Sequence, residues 1–365
     1  MKIIRQYILT EWASNFAAVL GVLTFVLLIG NIFLKMADLV INRGVDMIRL
    51  GQLILFMAPF LLAFTLPMAA LVATLLTFGR LSAEHELTAL RASGISLRKA
   101  IQPIIWIAVV LSLVAFVLND RIASQSHFRM RQVSAQIGME SPTALLEEGV
   151  FMKKFRDIVI FIHRINGNSL EQVRIYQPQP DGPTRTIIAE KGELIPSPEE
   201  NLIKLRLING TSDEPDANHP GRFYKLKFGT YYLPLDTSRL NVGEPVERKR
   251  KELTIKELWA MYVKLKHEGY DDPYLLTEIN RKIAMSLSVF VLVCLSVPLA
   301  IRTHRGEKSI GFAIALLLGT IYWTLLMGVT MVAKTGTAPA VVVMHLPNIL
   351  FLITAFFLYR KVIRS

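Results

Sequence analysis

Six stretches of this chain run on without Asp, Glu, Lys or Arg: Phe16–Leu34, Gln52–Phe78, Ala100–Leu118, Ile283–Ile301, Ser309–Ala333 and Thr335–Tyr359. An α-helix needs about 20 such residues to cross roughly 30 Å of hydrocarbon, and a soluble core helix seldom stays uncharged on every face for so long. The pattern therefore predicts six membrane spans. Between the third and fourth it changes period. Ile203-Lys204-Leu205-Arg206-Leu207, Tyr224-Lys225-Leu226-Lys227-Phe228 and Val173-Arg174-Ile175 alternate every second residue, and Val159–Ile162 is a short apolar run. Asn166-Gly167, Pro180-Asp181-Gly182-Pro183, Pro196-Ser197-Pro198 and Asn209-Gly210 supply turn chemistry between them. Short antiparallel strands with frequent turns predict an all-β insertion, as a sandwich, jelly roll or open barrel. The chain thus divides into 1–119 (spans one to three), 120–276 (the β domain and a following helix, 254–267) and 277–365 (spans four to six). Thr254 is placed to cap that helix, with Leu258, Met261, Tyr262 and Leu265 on one face and Lys256, Lys264 and Lys266 on the other; it is expected to rest on the domain or the membrane surface.

Composition sharpens the picture at three points. The chain is 52% hydrophobic, little above a soluble protein, so the segregation of the apolar residues carries the argument rather than their number. The first run is too long for the apolar region of a signal peptide and is expected to remain as a span. The net charge of +12 could suggest nucleic acid, but the basic residues sit at span ends. Lys2, Arg5, Arg80, Arg91, Arg98, Lys99, Arg302, Arg305, Lys308, Arg360, Lys361 and Arg364 fall on one side, against Lys35, Arg43, Arg49 and Lys334 on the other. This asymmetry predicts an inner-membrane protein with both termini cytoplasmic and the β domain in the periplasm. Cys294, the single cysteine, lies mid-span and reads as a small buried apolar residue.

Catalytic signatures are missing. The chain has no Walker A sequence, no HExxH and no GxSxG; Gly306-Glu307-Lys308-Ser309 lacks the glycine loop and the adjacent Gly-Lys pair. His85, His127, His163, His219, His267, His304 and His345 show no metal-ligand spacing, so neither metal nor cofactor is expected. The informative soluble stretch is the loop between spans two and three, Gly79 to Ser96. Ser82 is placed to cap a short helix over 82–94, Glu86 suits its positive end, Gly94 suits its stop, and Ser96 can cap the next span. Leu87, Leu90 and Ile95 form a narrow apolar face, with Glu86 and Arg91 as charged tips. The pattern suits either a docking element for a cytoplasmic partner or an ordinary interfacial loop helix.

The segment Glu86-Leu87-Thr88-Ala89-Leu90-Arg91-Ala92-Ser93-Gly94-Ile95-Ser96 closely resembles the coupling helix of the LptF/LptG permease family of lipopolysaccharide exporters. The resemblance extends to the order of three spans, β domain and three spans, to Glu278-Ile279-Asn280-Arg281-Lys282-Ile283-Ala284, to Val297-Pro298-Leu299 and to Leu346-Pro347-Asn348. The region after Gly149 and the run Val159–Ile162 look more like the LptF branch. The resemblance implies a non-catalytic permease subunit, a paralogous permease beside it, and a separate cytoplasmic ATPase dimer that supplies the missing phosphate loop. Glu86, Leu87, Leu90, Arg91 and Gly94 would couple to that ATPase. It implies a jelly-roll domain that passes lipopolysaccharide to a periplasmic jelly-roll bridge protein, and a lateral gate at the first and fifth spans. An anionic lipid needs cations near the outer membrane boundary, where unpaired charge is costly. Lys35, Arg281 and Lys282 are the candidates, the alternative being interfacial anchors whose charged heads reach the headgroups. Pro59, Pro67, Pro298 and Pro347 suit either gate kinks or plain packing. A membrane-anchored scaffold, a lipid-modifying enzyme and a permease for another anionic lipid are the rival readings; the enzyme is disfavoured because no acid, base and nucleophile converge at a span end.

Overall fold

In the computed structural model the described residues are 2–30, 46–140, 146–153, 155, 158–179, 182–197, 202–215, 223–235, 248–302 and 308–364. The helices are α1 (Lys2–Leu28), α2 (Met47–Ala83), α3 (Glu86–Ala92), α4 (Leu97–Val117), α5 (Ala123–Glu140), α6 (Ile255–His267), α7 (Pro273–Arg302), α8 (Lys308–Lys334), α9 (Ala340–Val343) and α10 (Leu346–Arg364). Six helical segments among the described residues are long and apolar enough to span a membrane, and they include most of each stretch expected from the sequence. The third is continuous from Leu97 to Ile137 because a π-helical turn at Leu118–Ile122 joins α4 to α5. The chain forms two compact units. One comprises Met1–Leu28, Met57–Phe128 and Arg248–Ser365, and the other Ile29–Phe56 and Arg129–Glu247.

The first unit is a helical bundle centred on α7, whose Val289, Val291, Leu292, Val293 and Val297 are fully buried. Lipid is as apolar as these side chains, so association relies on close packing and on polar pairs. Both devices are present. Ala69, Ala70 and Ala73 make a fully enclosed small-residue stripe on α2. Gly319 of α8 admits the Met68 side chain where a Cβ would sit 2.1 Å from its methyl. Helix α1 buries only Ile8 and Trp12. Polar rungs bind it to α2 instead: Trp12 Nε1 donates to Thr74 Oγ1 at 2.9 Å, Asn15 Nδ2 to Thr77 Oγ1 at 3.0 Å, and the Thr24 and Thr65 hydroxyls meet at 3.1 Å. Pro59 and Pro67 lie inside α2 and Pro298 inside α7, while Pro347 opens α10. Asn348 beside it takes the Tyr322 hydroxyl at 2.9 Å and donates to Ala284 O at 3.1 Å, so the Leu-Pro-Asn segment ties α7, α8 and α10 together. Cys294 is buried and unpaired, as expected.

Helix α6 begins at its capping box, with Thr254 Oγ1 accepting from Glu257 N and the Glu257 carboxylate accepting from Thr254 N. Its expected apolar face is the buried one. The surface it covers is the start of α7, where Leu258 and Tyr262 enclose Leu275 and Ile279.

The second unit is built on a six-stranded antiparallel sheet of β1 (Phe151–Met152), β2 (Val159–Asn166), β3 (Ser169–Gln179), β4 (Gly182–Ser197), β5 (Leu202–Pro215) and β6 (Phe223–Leu235). Each strand pairs with the next, so the order is a meander. The period-two alternation holds at Val173–Ile175 and Ile203–Leu207, where Val173, Ile175, Ile203, Leu205 and Leu207 join Ile160, Ile162 and Ile187 in one core while Arg174 and Lys204 point away from it. It fails at Tyr224–Phe228, where Tyr224 and Leu226 are exposed along with Lys225 and Lys227. Asn209-Gly210, expected to be a turn, lies within β5. Asn209 takes φ 53° there, and Gly210 is required because a Cβ would come within 2.4 Å of the Phe228 ring on β6. Gln172 takes φ 51°, and Gln172, Glu190, Asn209 and Gly229 are skipped in successive ladders although the register either side is unchanged. These positions make one crease across the sheet.

Candidate functional site

Helix α3, seven residues long, begins three residues after α2 ends. The expected cap at Ser82 is not made. Ser82 belongs to α2, buried, with its hydroxyl donating to Ile301 O at 3.0 Å, and His85 takes the N-cap place with φ 58° and no side-chain cap bond. The helix is therefore Glu86–Ala92 rather than 82–94. Its stop is as expected. Gly94 adopts φ 78°, Ile95 N donates to Leu90 O at 3.0 Å, and Gly94 N to Arg91 O at 2.9 Å, the Schellman arrangement that satisfies the last carbonyls. Leu87 is 5% exposed and enters the core of the bundle, with Leu90 partly buried behind it.

The charged tips turn back toward the bundle. Glu86 Oε1 accepts from the Tyr7 hydroxyl at 3.1 Å and from Arg80 Nη1 at 3.0 Å. Arg91 Nη2 donates to Val362 O at 2.9 Å, one of the last carbonyls of α10. Arg80 is the hub. Its guanidinium clasps Glu11 through two N–H groups, pairs with Glu84, and donates to the Tyr7 hydroxyl at 2.6 Å. Glu11, Glu84 and Glu86 thus share one arginine, and α1, α2 and α3 meet at a single guanidinium. The outward surface of α3 is left to Thr88, Ala89, Ala92 and Ser93, all exposed. A groove of about 500 Å³ beside it is lined by Leu87, Arg91, Leu97, Ile301, Arg302 and Lys361. Such a surface can receive a partner's side chains between the helix and the ends of α7 and α10.

The cations expected at a substrate cavity fall at the opposite end of α7, about 28 Å along its axis from Ile301 at 1.5 Å per residue. Lys35 lies outside the described residues. Lys282 is 3% exposed, and its ammonium reaches Ser124 Oγ at 2.6 Å, Leu253 O at 2.6 Å, Asp120 O at 3.4 Å and the Asp120 carboxylate at 3.6 Å. Its three N–H donors are used within the fold. The π turn accounts for the position of Asp120, whose Oδ1 also accepts from Ile255 N at 2.6 Å at the start of α6. Arg281, one quarter exposed, brings two N–H groups to one oxygen of Glu278, with Nε at 2.9 Å and Nη2 at 2.8 Å from Oε2. Glu278 is fully buried, and Lys334 Nζ approaches it to 3.8 Å. Arg281 and Lys334 are the cations of this cluster with side chains open to solvent. Sequence reading missed the organising acids. Asp120 entered only as a domain bound and Glu278 only as the first residue of a family-like segment, because an isolated carboxylate near a span end has no pattern of its own. Arg80 registered only as a topology signal.

A family model described as lipopolysaccharide export system permease LptF/LptG matches residues 6–361. Over 329 residues the chain is 22% identical to lipopolysaccharide export system permease protein LptF of Escherichia coli (strain K12), with 88% of this chain and 84% of that protein aligned. It is 25% identical over 281 residues to the LptG protein of the same strain, covering 73% and 75%. Uncharacterized protein RP871 of Rickettsia prowazekii (strain Madrid E) is 23% identical over 277 residues, covering 73% and 74%. The longer alignment goes with the first paralogue and the higher identity with the second, so these matches carry the family and not the branch.

Proposed function

This chain belongs to the LptF/LptG family of lipopolysaccharide export permeases, and from that premise we propose that it is the non-catalytic permease subunit of an ATP-driven exporter. In this reading it is a multi-pass inner-membrane protein with α3 in the cytoplasm and the β sheet in the periplasm. A cytoplasmic ATPase dimer docks on α3, a paralogous permease completes the cavity, and lipopolysaccharide drawn from the membrane passes to a periplasmic bridge protein. The observation that supports it most is the mounting of α3. A seven-residue helix anchored by Leu87 and Gly94 has its charged groups bonded to α1, α2 and α10, so a push on it is delivered to three spans at once. Helix α1 receives that push through Arg80 and is otherwise held by a few polar rungs and two buried side chains, Ile8 and Trp12, a light attachment that suits a moving gate. On the other side of the membrane Arg281 and Lys35 are the cations that would meet the lipid phosphates, while Lys282 holds the residue before Thr254 in place.

Co-purification from cells expressing this chain with the ATPase and the paralogous permease tests the reading, followed by lipopolysaccharide-dependent ATP hydrolysis in liposomes. The expected result is a stable complex whose hydrolysis rises with lipopolysaccharide. Replacing Glu86 by Ala is expected to reduce that hydrolysis about tenfold, the equivalent of about 1.4 kcal/mol of coupling, and Lys35→Glu is expected to abolish the response to lipid while the complex still assembles. Absence of any ATPase in the purified material favours a scaffold instead.

A further inference from the structure

A second groove, of about 640 Å³, opens along the helical unit between α4, α7 and α10. Its long wall is apolar: Ile101, Ile105, Trp106 and Phe356 line it, and Trp106 and Phe356 are more than half exposed. One end is different. Arg98, in the first turn of α4, and Arg360, near the end of the antiparallel α10, both line it there and both are exposed. Among the described residues neither has an acidic partner; Arg360 instead stacks on the Phe356 ring at 4.5 Å. The backbone adds to the same field. The first turn of α4 contains no acidic residue, its N-cap Ser96 makes no side-chain cap bond, and Arg98 and Lys99 sit at that positive helix end where a carboxylate is the ordinary occupant. Tyr359 brings a hydroxyl to the groove that is buried and has no hydrogen-bond partner among the described residues. Two unpaired arginines, a helix N-terminus and an unused hydroxyl above an apolar trough describe a ligand with an anionic head and a hydrocarbon tail.

We propose that this groove is a binding site for one anionic phospholipid of the surrounding membrane. Its phosphate lies between Arg98 and Arg360, the planar guanidinium groups being suited to paired contacts with phosphate oxygens. The Tyr359 hydroxyl donates to an oxygen of the head, and an acyl chain follows Ile101 and Ile105 toward Trp106, about 12 Å further along α4 at 1.5 Å per residue. Charge complementarity selects the occupant, because both kinds of head bring one phosphate but a zwitterionic head also brings a cation into a site that already holds two arginines and a positive helix end. The site stands apart from the transport reading, since it involves neither α3 nor the cluster around Glu278.

Trp106 reports on it. The full chain is placed in nanodiscs containing equal mole fractions of brominated phosphatidylglycerol or brominated phosphatidylcholine, and the quenching assigned to Trp106 is taken as the difference from Trp106→Phe. Stronger quenching by the anionic lipid is expected, with the preference falling about fivefold for each arginine removed in Arg98→Gln and Arg360→Gln. The Arg98→Lys/Arg360→Lys pair is expected to keep most of it, and Tyr359→Phe to weaken it in part. Equal quenching by the two lipids, a preference that survives the double glutamine variant, or displacement of the brominated lipid by lipid A alone overturns the proposal. A glutamine variant that fails to fold leaves the lysine pair and the wild-type preference to decide.

Discussion

The two ends of the helical bundle solve the same problem, charge at a membrane boundary, in opposite ways. Beside α3 one arginine serves three carboxylates, and all four groups keep some exposure. At the far end one lysine is enclosed and served by a hydroxyl, a backbone carbonyl and a carboxylate. The first network is over-subscribed. Any of Glu11, Glu84 and Glu86 can be released while Arg80 stays paired, so rearranging it costs little. The second is enclosed, with every N–H of the ammonium engaged, and opening it strands a buried charge. An exposed end with surplus partners is free to rearrange and an enclosed end resists it; under the proposed function, a push on α3 would move α1 against a stationary α7.

The comparison is broken most severely by Lys282→Met. Loss of a buried ion-pair partner is expected to cost about 3–5 kcal/mol, read as a lowered melting temperature of the detergent-solubilised protein. Adding Asp120→Asn, which keeps an acceptor for Ile255 N but removes the stranded charge, is expected to recover part of that loss; strictly additive effects would show that the two groups do not form one unit. Next in size is Arg80→Gln, expected to cost about 2–3 kcal/mol through its charge-assisted hydrogen bonds and to leave three carboxylates facing one another. Because these groups are partly solvated, the deficit should shrink in high salt, and a deficit indifferent to salt contradicts the repulsion. Gly94→Ala places a Cβ at φ 78° and is expected to cost about 1–2 kcal/mol. Hydrogen exchange should then speed up in α3 and leave α7 unchanged.

The smallest effect sharpens the fixed end. Thr254→Ala removes the cap of α6 and is expected to cost about 1 kcal/mol. The Thr254 N–H holds the Glu257 carboxylate below its usual range, with the Thr254 hydroxyl and Arg248 acting in the same direction. A depressed carboxylate stabilises the fold fully above its ordinary pKa, and that contribution disappears as pH falls through the lower folded value. Melting temperatures measured across the acid range should therefore converge for wild type and Glu257→Gln at low pH and separate toward neutral pH.

Much of this was readable in the chain. The six spans follow from unbroken apolar runs, the inward rows of the sheet from alternation at Ile203–Leu207, and the stop at Gly94 and the cap at Thr254 from residues whose local chemistry has one use. The misplaced features share a cause. Ser82 has the composition of a cap but is claimed by Ile301 O, more than two hundred residues away. Asn209-Gly210 has the composition of a turn but is held in a strand by Phe228. Glu86 and Arg91 look like free charged tips until Arg80, Tyr7 and Val362 O arrive from other helices.

The sequence by itself determined what each segment is, because helix length, strand period and capping are properties of neighbouring residues and of the solvent they must satisfy. Tertiary structure alone decided which charges are spent and which are available. Lys282 and Arg281 are adjacent in the chain, yet one is sealed against Asp120 and Ser124 and the other reaches Glu278 with a quarter of its side chain open. The physical reason is that a charge in low dielectric is governed by whatever partner lies within a few ångströms, and folding draws those partners from anywhere along the chain.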